Sequence, residues 1–105
     1  MIRVLCNGTS LSLQGHAGSA PYGQDLICAA VTALVYALGA RLKELEEQDG
    51  FEKPLVIRLE PGDAQICAIA KAEYQAEVMA DFRLICSGLK LLQIHYPNQI
   101  EVTVR

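Results

Sequence analysis

The sequence predicts a two-layer α+β domain, in which a mixed or antiparallel sheet of about five strands carries two helices on one face. Three observations lead to this fold class. Apolar residues alternate in five short segments, which is typical of strands. They recur every three or four residues in two longer segments, which is typical of amphipathic helices. The chain has 105 residues, 51% of them hydrophobic, which suffices for one core. We therefore expect one domain spanning residues 1–105, with the element order ββαββαβ.

The N-terminal segment predicts a β-hairpin. Apolar residues alternate on both sides of Asn7-Gly8, over residues 2–6 before it and 9–13 after it. Asn-Gly is common in two-residue hairpin turns because both residues tolerate positive φ. We therefore expect Asn7 and Gly8 to form the turn.

A loop and a long helix follow. Residues 15–23 contain three glycines and a proline, which excludes a regular element there. From Asp25 the apolar spacing becomes helical, and Gly50 is the expected stop. The most apolar stretch, residues 27–40, is shorter than the roughly 20 residues that a membrane-spanning helix needs. We therefore expect a buried core helix and no membrane association.

The second half of the chain repeats the ββα pattern and adds a strand. Alternation over residues 55–59 and 66–70 flanks a predicted turn at residues 60–63. A helical period runs from Tyr74 to Leu92 and ends before Pro97. Residues 100–104 alternate as a last strand. Because strand alternation leaves one sheet face polar, both helices are expected on the other face.

Composition excludes several classes of function. The net charge of −3 and the pI near 5.3 have the wrong sign for binding nucleic acid by phosphate neutralisation. No export signal is recognisable near the N-terminus, so we expect a cytoplasmic protein whose four cysteines remain thiols. Three of these, Cys6, Cys67 and Cys86, lie within apolar strand or helix patterns and are expected to be inert core thiols.

His16 and Cys28 are not required by the predicted core and are therefore candidates for chemistry. His16 follows the second strand, and Cys28 is expected in the first turn of the long helix. The unpaired N–H groups and the dipole at a helix N-terminus favour a thiolate over a thiol. A nearby imidazole would lower the thiol pKa further and would later protonate a leaving amine. Backbone N–H groups near Cys28 are a candidate oxyanion hole.

Asp25 and Thr32 are candidate supporting residues, each with two interpretations. As N-cap, the Asp25 carboxylate would accept a hydrogen bond from the Cys28 amide, whereas it would otherwise orient His16. Thr32 lies one turn after Cys28 on the same helix face. Its hydroxyl would either act in the site or bond to its own helix backbone.

The residues alone leave other functions open. From the residues alone, Cys28 could also be a small apolar residue near a helix start, with no catalytic role. A redox sensor built on Cys28 would need a second cysteine nearby, and the spacing offers none. No two Cys or His residues have the CxxC or HxxxH spacing of metal ligands, so we expect neither a metal nor another cofactor.

The arrangement of these residues resembles the ribosomal-processing cysteine proteases called Prp. That family carries Gly-His-Ala, a short glycine-rich loop, Gly-x-Asp, then Cys-Ala and a small hydroxyl residue one helical turn after the Cys. The corresponding residues here are Gly15-His16-Ala17, Gly23-Gln24-Asp25, Cys28-Ala29 and Thr32. Many members have serine in place of Thr32. The chain length and the ββαββαβ order also resemble those of the family.

The resemblance implies a cysteine endopeptidase in which Cys28 is the nucleophile and His16 is the general base and acid. It implies supporting positions at Gly15, Ala17, Gly23, Asp25, Ala29 and Thr32. It also implies a substrate, the N-terminal extension of a bacterial large-subunit ribosomal protein near the peptidyl-transferase centre, removed during ribosome assembly. A homodimer and a loop that rearranges when the peptide binds are further implications. The alternative is a non-catalytic module that binds a ribosomal protein through its dimer surface, with a structural role for Cys28.

Overall fold

The computed structural model describes residues 1–15, 22–60 and 62–105, with the side chains of residues 22–25 excepted. The strands are β1 (Ile2–Asn7), β2 (Ser10–Gln14), β3 (Val56–Glu60), β4 (Asp63–Cys67) and β5 (Ile100–Val104). The α-helices are α1 (Tyr22–Glu47) and α2 (Gln75–His95), and a 3-10 turn at Ala72–Tyr74 precedes α2. This confirms the predicted element order.

The sheet is mixed, with the strand order β3-β4-β2-β1-β5. The pairs β1–β2, β2–β4 and β3–β4 are antiparallel. The last strand lies parallel to the first, with Ile2 opposite Ile100 and Cys6 opposite Val104. The first and last strands of the chain are therefore neighbours, with the two termini at opposite ends of this pair, and β1 becomes an interior strand.

One face of the sheet is buried beneath both helices, as the alternation predicts. Successive side chains of a strand point to opposite faces, so the inward residues come from alternate positions. On β1, Ile2 and Val4 are buried, whereas Arg3 between them is exposed. The inward faces of the helices complete the core with Ile27, Val31, Val35, Leu38, Leu42, Leu45, Val78, Phe82, Ile85 and Leu89. The fold is therefore a two-layer α+β arrangement.

Polar contacts join the two helices at their solvent side. The guanidinium of Arg41 on α1 forms ion pairs with Glu77 and Asp81 on α2, and with Glu44 one turn along α1. Its Nε lies 3.3 Å from an Asp81 carboxylate oxygen. These contacts connect the two helices at the surface, while the apolar core holds them against the sheet.

The long helix α1 is a core helix in this fold. By length and composition alone, its segment Leu26–Glu47 also meets the requirements for crossing a membrane. Its apolar residues on one face are, however, buried against the sheet and α2. Packing within the chain therefore accounts for the apolar residues of this buried face.

Four predicted boundaries are wrong by a few residues. The strand β4 spans Asp63–Cys67 instead of residues 66–70, because its pairing with β3 already begins at Glu60 opposite Asp63. Asn7 still pairs with Ser10, so the first hairpin turn is Gly8-Thr9, and Gly8 supplies the positive φ of 59°. The helix α1 begins at Tyr22 instead of Asp25. It ends at Glu47, before a turn in which the Gly50 N–H donates to the Leu45 carbonyl.

We predict that Phe82→Ala destabilises the protein by about 3–5 kcal/mol, because Phe82 is a large side chain that is only 1% exposed. Urea unfolding followed by circular dichroism measures this as a lower midpoint at unchanged slope. Arg83→Ala, at the exposed neighbouring position, is the control and should change stability by less than about 0.5 kcal/mol. Equal losses in both variants would show that Phe82 does not anchor the core.

Candidate active site

The cleft that contains Cys28 lies between α1 and the end of the sheet where β2, β3 and β4 meet. Its volume is about 250 Å³. The floor and walls are mainly apolar, and Glu60 is the charged residue among the described lining residues. These lining residues are Ile2, Leu13, Gly15, Cys28, Val31, Thr32, Val35, Tyr36, Glu60, Gly62 and Ala64.

The phase of α1 places three polar or reactive side chains along one wall. Cys28, Thr32 and Tyr36 follow one another at intervals of four residues, so they form a stripe on one helix face. Cys28 is half-buried and packs against the core, whereas Thr32 and Tyr36 are exposed. The thiol therefore lies at the inner end of a stripe that leads outward to solvent.

The opposite wall is built where the chain leaves β2. The Gly15 N–H donates to the Gly62 carbonyl at 3.0 Å, which joins the end of β2 to the turn between β3 and β4. Gln14, the last residue of β2, pairs with Asp63 in the same region. The backbone at Gly15 is therefore held in place immediately before His16.

Only glycine fits at position 15. Its φ is +104°, a conformation that side-chain-bearing residues rarely adopt. A Cβ atom there would also overlap the carbonyl oxygen of Met1. This gives a structural reason for the glycine in the Gly15-His16-Ala17 motif.

The charged groups near the cleft are concentrated at the turn between β3 and β4. Arg58 forms ion pairs with Asp63 and Glu60, and its Nη1 atom lies 3.8 Å from a Glu60 carboxylate oxygen. The hydrogen bond from Arg58 lowers the pKa of Asp63 below its usual value. The Asp63 carboxylate therefore remains charged at neutral pH, and Glu60 places a second acidic side chain at the rim of the cleft.

The structure brings together three of the predicted site residues, Cys28, Thr32 and Gly15. Ala29 is exposed on α1 and is not among the lining residues. Gly23 lies within α1, near its start. His16 and Ala17 lie outside the described residues.

Two predictions about the start of α1 are wrong. Because α1 begins at Tyr22, Asp25 occupies an internal helix position and is not the N-cap. Cys28 is the seventh residue of α1, in its second turn. In an α-helix, the N–H of such a residue bonds to the carbonyl four residues earlier, so it is not free for an oxyanion. The dipole effect also falls off beyond the first turn.

Sequence reasoning missed Tyr36, Glu60 and Gly62 as cleft residues. A signal existed for Tyr36, because it follows Thr32 at the same helical interval that relates Thr32 to Cys28. No local signal existed for Glu60 and Gly62, since strand pairing alone brings their turn to the cleft. Among the described residues, no group of three His, Cys, Asp or Glu side chains is arranged to hold a metal ion.

A half-buried thiol in the wall of a cleft, within a two-layer α+β fold, is compatible with a thiol-dependent enzyme. The family model described as cysteine protease Prp matches residues 1–101. The chain therefore belongs to the cysteine protease Prp family and is a cysteine peptidase.

Solved structures of low sequence identity share the fold. The essential ribosomal processing protease Prp from S. aureus, in complex with a covalently linked product peptide, aligns with a TM-score of 0.78 and 18% identity over 100% of both chains. The same protease in complex with a substrate peptide aligns with a TM-score of 0.76 and 18% identity, and the alignment again covers 100% of both chains. SMU.848 from Streptococcus mutans aligns with a TM-score of 0.69 and 23% identity, over 98% of this chain and 90% of that chain. No curated protein sequence is significantly similar.

We predict that Gly15→Ala lowers stability more than Gly8→Ala does. Both glycines have positive φ, but a Cβ at Gly8 meets nothing within 4 Å, whereas one at Gly15 overlaps the Met1 carbonyl. The free energy of unfolding of the Gly8→Ala variant should fall by about 1–2 kcal/mol, from backbone strain alone. Urea midpoints of the two variants measure the difference. A Gly15 variant as stable as the Gly8 variant would contradict the close approach to Met1.

Proposed function

We propose that this peptidase removes the N-terminal extension of a bacterial large-subunit ribosomal protein in the cytoplasm during ribosome assembly, with Cys28 as nucleophile and His16 as general base and acid. One observation carries the assignment of the site. The half-buried Cys28 thiol and Gly15 line the same cleft, and His16 directly follows Gly15 in the sequence. The whole chain, residues 1–105, acts as one protease domain.

The reaction proceeds through an acyl-enzyme. His16 takes the thiol proton, and the Cys28 sulfur attacks the carbonyl carbon of the scissile bond. His16 then gives the proton to the leaving amine as the C–N bond breaks. A water molecule, deprotonated by His16, attacks the thioester and releases the new carboxylate, and the Cys28 thiol is restored.

The cleft favours an extended peptide with an apolar residue beside the scissile bond. Leu13, Val31 and Val35 offer apolar surface next to Cys28, and about 250 Å³ is enough for one large apolar side chain and its backbone. Glu60 would attract a basic group at the outer end of the cleft. The net charge of −3 is compatible with a basic protein as substrate. The S. aureus structures, which contain peptides, support a peptide-binding role for this fold.

The remaining motif residues are assigned supporting roles. Thr32 lies one turn beyond Cys28 in the cleft wall, and its proposed role is to contact the bound peptide through its hydroxyl. Gly15 sets the exit of the chain toward His16-Ala17. Gly23, Asp25 and Ala29 belong to the first turns of α1 and help to form the helix that carries the nucleophile.

The protein is proposed to act as a homodimer that associates through α2. Three large apolar side chains on this helix are exposed, Leu84 and Ile94 at 71% each and Leu91 at 56%. Their spacing places them on one helix face, opposite the face that packs into the core. An exposed apolar stripe of this kind is typical of a protein interface. A second copy would bury it symmetrically.

We predict that Cys28→Ala and Cys28→Ser both lose cleavage of the extended ribosomal precursor by about 10³-fold or more, since each removes the thiolate nucleophile. Mass spectrometry of the precursor after incubation with each protein measures the product. Cys67→Ser is the matched control, because Cys67 is also half-buried but lies on β4 outside the cleft. This variant should cleave the precursor as fast as the wild-type protein does.

Undiminished cleavage by Cys28→Ala would exclude Cys28 as the nucleophile. Binding of the precursor by the wild-type protein with no cleavage would instead support the alternative of a non-catalytic ribosomal-protein-binding module. His16→Ala is expected to lose activity to a similar degree as Cys28→Ala, because thiol and imidazole act as a unit.

We predict that Ile94→Glu converts the dimer into a monomer, because a carboxylate in the apolar stripe would have to be buried unpaired. Light scattering coupled to size-exclusion chromatography measures the mass. Val56→Glu, at an exposed apolar position on β3, is the control and should leave the dimer intact. A monomeric wild-type protein, or an unchanged dimer in Ile94→Glu, would contradict association through this stripe.

A further inference from the structure

A second pair of cysteines lies at the end of the molecule remote from Cys28. Cys6 is on the inward face of β1 and is 3% exposed, whereas Cys86 is half-buried on α2. Both are free thiols that line the same cavity, and each side chain shifts the pKa of the other. Residues 80 positions apart in the sequence are therefore neighbours where the sheet meets the second helix.

Both thiols line a cavity of about 330 Å³ that is open to solvent. Arg83 and Arg105 contribute its charged side chains, and Met79, Phe82 and Val104 contribute apolar ones. None of the described residues that line this cavity also lines the Cys28 cleft. The cavity is large enough for a small neutral oxidant, so the pair is accessible although Cys6 itself is buried.

The surroundings make the two thiols unequal. The hydrogen bond from Cys6 lowers the pKa of Cys86, and the positive charge of Lys90, one turn further along α2, lowers it as well, while burial opposes both effects. The same hydrogen bond and burial raise the pKa of Cys6. Cys86 is therefore the more acidic of the two thiols, and Cys6 is the less acidic one. Nucleophilic attack on an oxidant requires the thiolate.

We propose that Cys6 and Cys86 form a redox-active pair that a hydroperoxide converts into a reversible disulfide between β1 and α2. The Cys86 thiolate attacks one oxygen of hydrogen peroxide, the O–O bond breaks, and the released hydroxide takes a proton to become water. Cys86 is then a sulfenic acid. The Cys6 sulfur attacks the Cys86 sulfur and displaces hydroxide, which takes the Cys6 proton and leaves as water. A dithiol reductant restores both thiols by exchange.

The disulfide would connect the two layers of the fold by a covalent bond. Cys6 belongs to an interior strand, with β2 on one side and β5 on the other. Cys86 belongs to the helix that packs on this strand. A crosslink that closes so long a loop restricts the unfolded chain, so the oxidised protein should resist urea more than the reduced protein.

The test uses the full-length Cys28→Ser protein, in which the proposed nucleophile cannot contribute to the signal. After treatment with hydrogen peroxide, intact mass spectrometry should show the loss of two hydrogen atoms. Non-reducing peptide mapping should show one crosslinked pair of peptides, containing Cys6 and Cys86. Cys28→Ser/Cys67→Ser is the matched control and should form the same crosslink. Reduction with dithiothreitol should reverse it.

The order of events is tested by removing each partner. In Cys28→Ser/Cys6→Ala, peroxide followed by dimedone should label Cys86, because its sulfenic acid has no resolving thiol. In Cys28→Ser/Cys86→Ala, Cys6 should remain unlabelled. Circular dichroism checks that each variant is folded. If either variant fails to fold, the crosslink test still applies, because it uses proteins that keep both Cys6 and Cys86. Absence of the Cys6–Cys86 crosslink, a crosslink through Cys67, or dimedone on Cys6 would each overturn the proposal.

Discussion

The packing of one face of α1 against the sheet is the constraint on which the rest of the structure depends. Ile27, Val31 and Val35 must point inward to fill the core. Cys28 follows Ile27, so it is rotated by about 100° around the helix axis and reaches the border between core and solvent. The same phase carries Thr32 and Tyr36 along the cleft wall. The accessibility of the thiol is therefore a consequence of core packing and needs no separate structural device.

Most of the fold was predictable because the apolar pattern is nearly unbroken. Strand alternation and helical spacing predict all five strands and both α-helices in order. The pairing of β5 with β1 was not predictable, since no local pattern distinguishes a parallel neighbour at the far end of the chain. The start of α1 was placed three residues late because Gly23 and Asp25 are typical of a helix boundary. In the structure both lie within the helix, where packing further along α1 outweighs their local preferences.

The candidate site was predictable only in part, for a similar reason. The sequence and its family resemblance predict Cys28 as the nucleophile, and in the structure this residue lines a cleft together with Gly15. The requirement for glycine at position 15 has a tertiary cause, the close approach of the Met1 carbonyl, which spacing along the chain cannot reveal. Glu60 lines the cleft only because β2 pairs with β4, which brings the turn after Glu60 next to the end of β2. Residues that belong to one helix face were accessible to sequence reasoning, and residues brought in by strand pairing were not.

The cysteines show how environment determines the chemistry of one residue type. The expectation that Cys6, Cys67 and Cys86 are inert core thiols fits the burial of Cys6, but Cys67 and Cys86 are only half-buried. Cys86 has a thiol donor and a cation beside it, so its pKa is lowered, whereas burial and the same hydrogen bond keep Cys6 protonated. Cys28 lies apart from this pair, in a cleft whose apolar walls and open outer end suit a peptide. Because the two cavities share no described lining residue, oxidation at β1 and α2 leaves the proposed nucleophile in its own surroundings. The disulfide could therefore alter proteolysis only indirectly, by changing how the sheet that both sites share is packed.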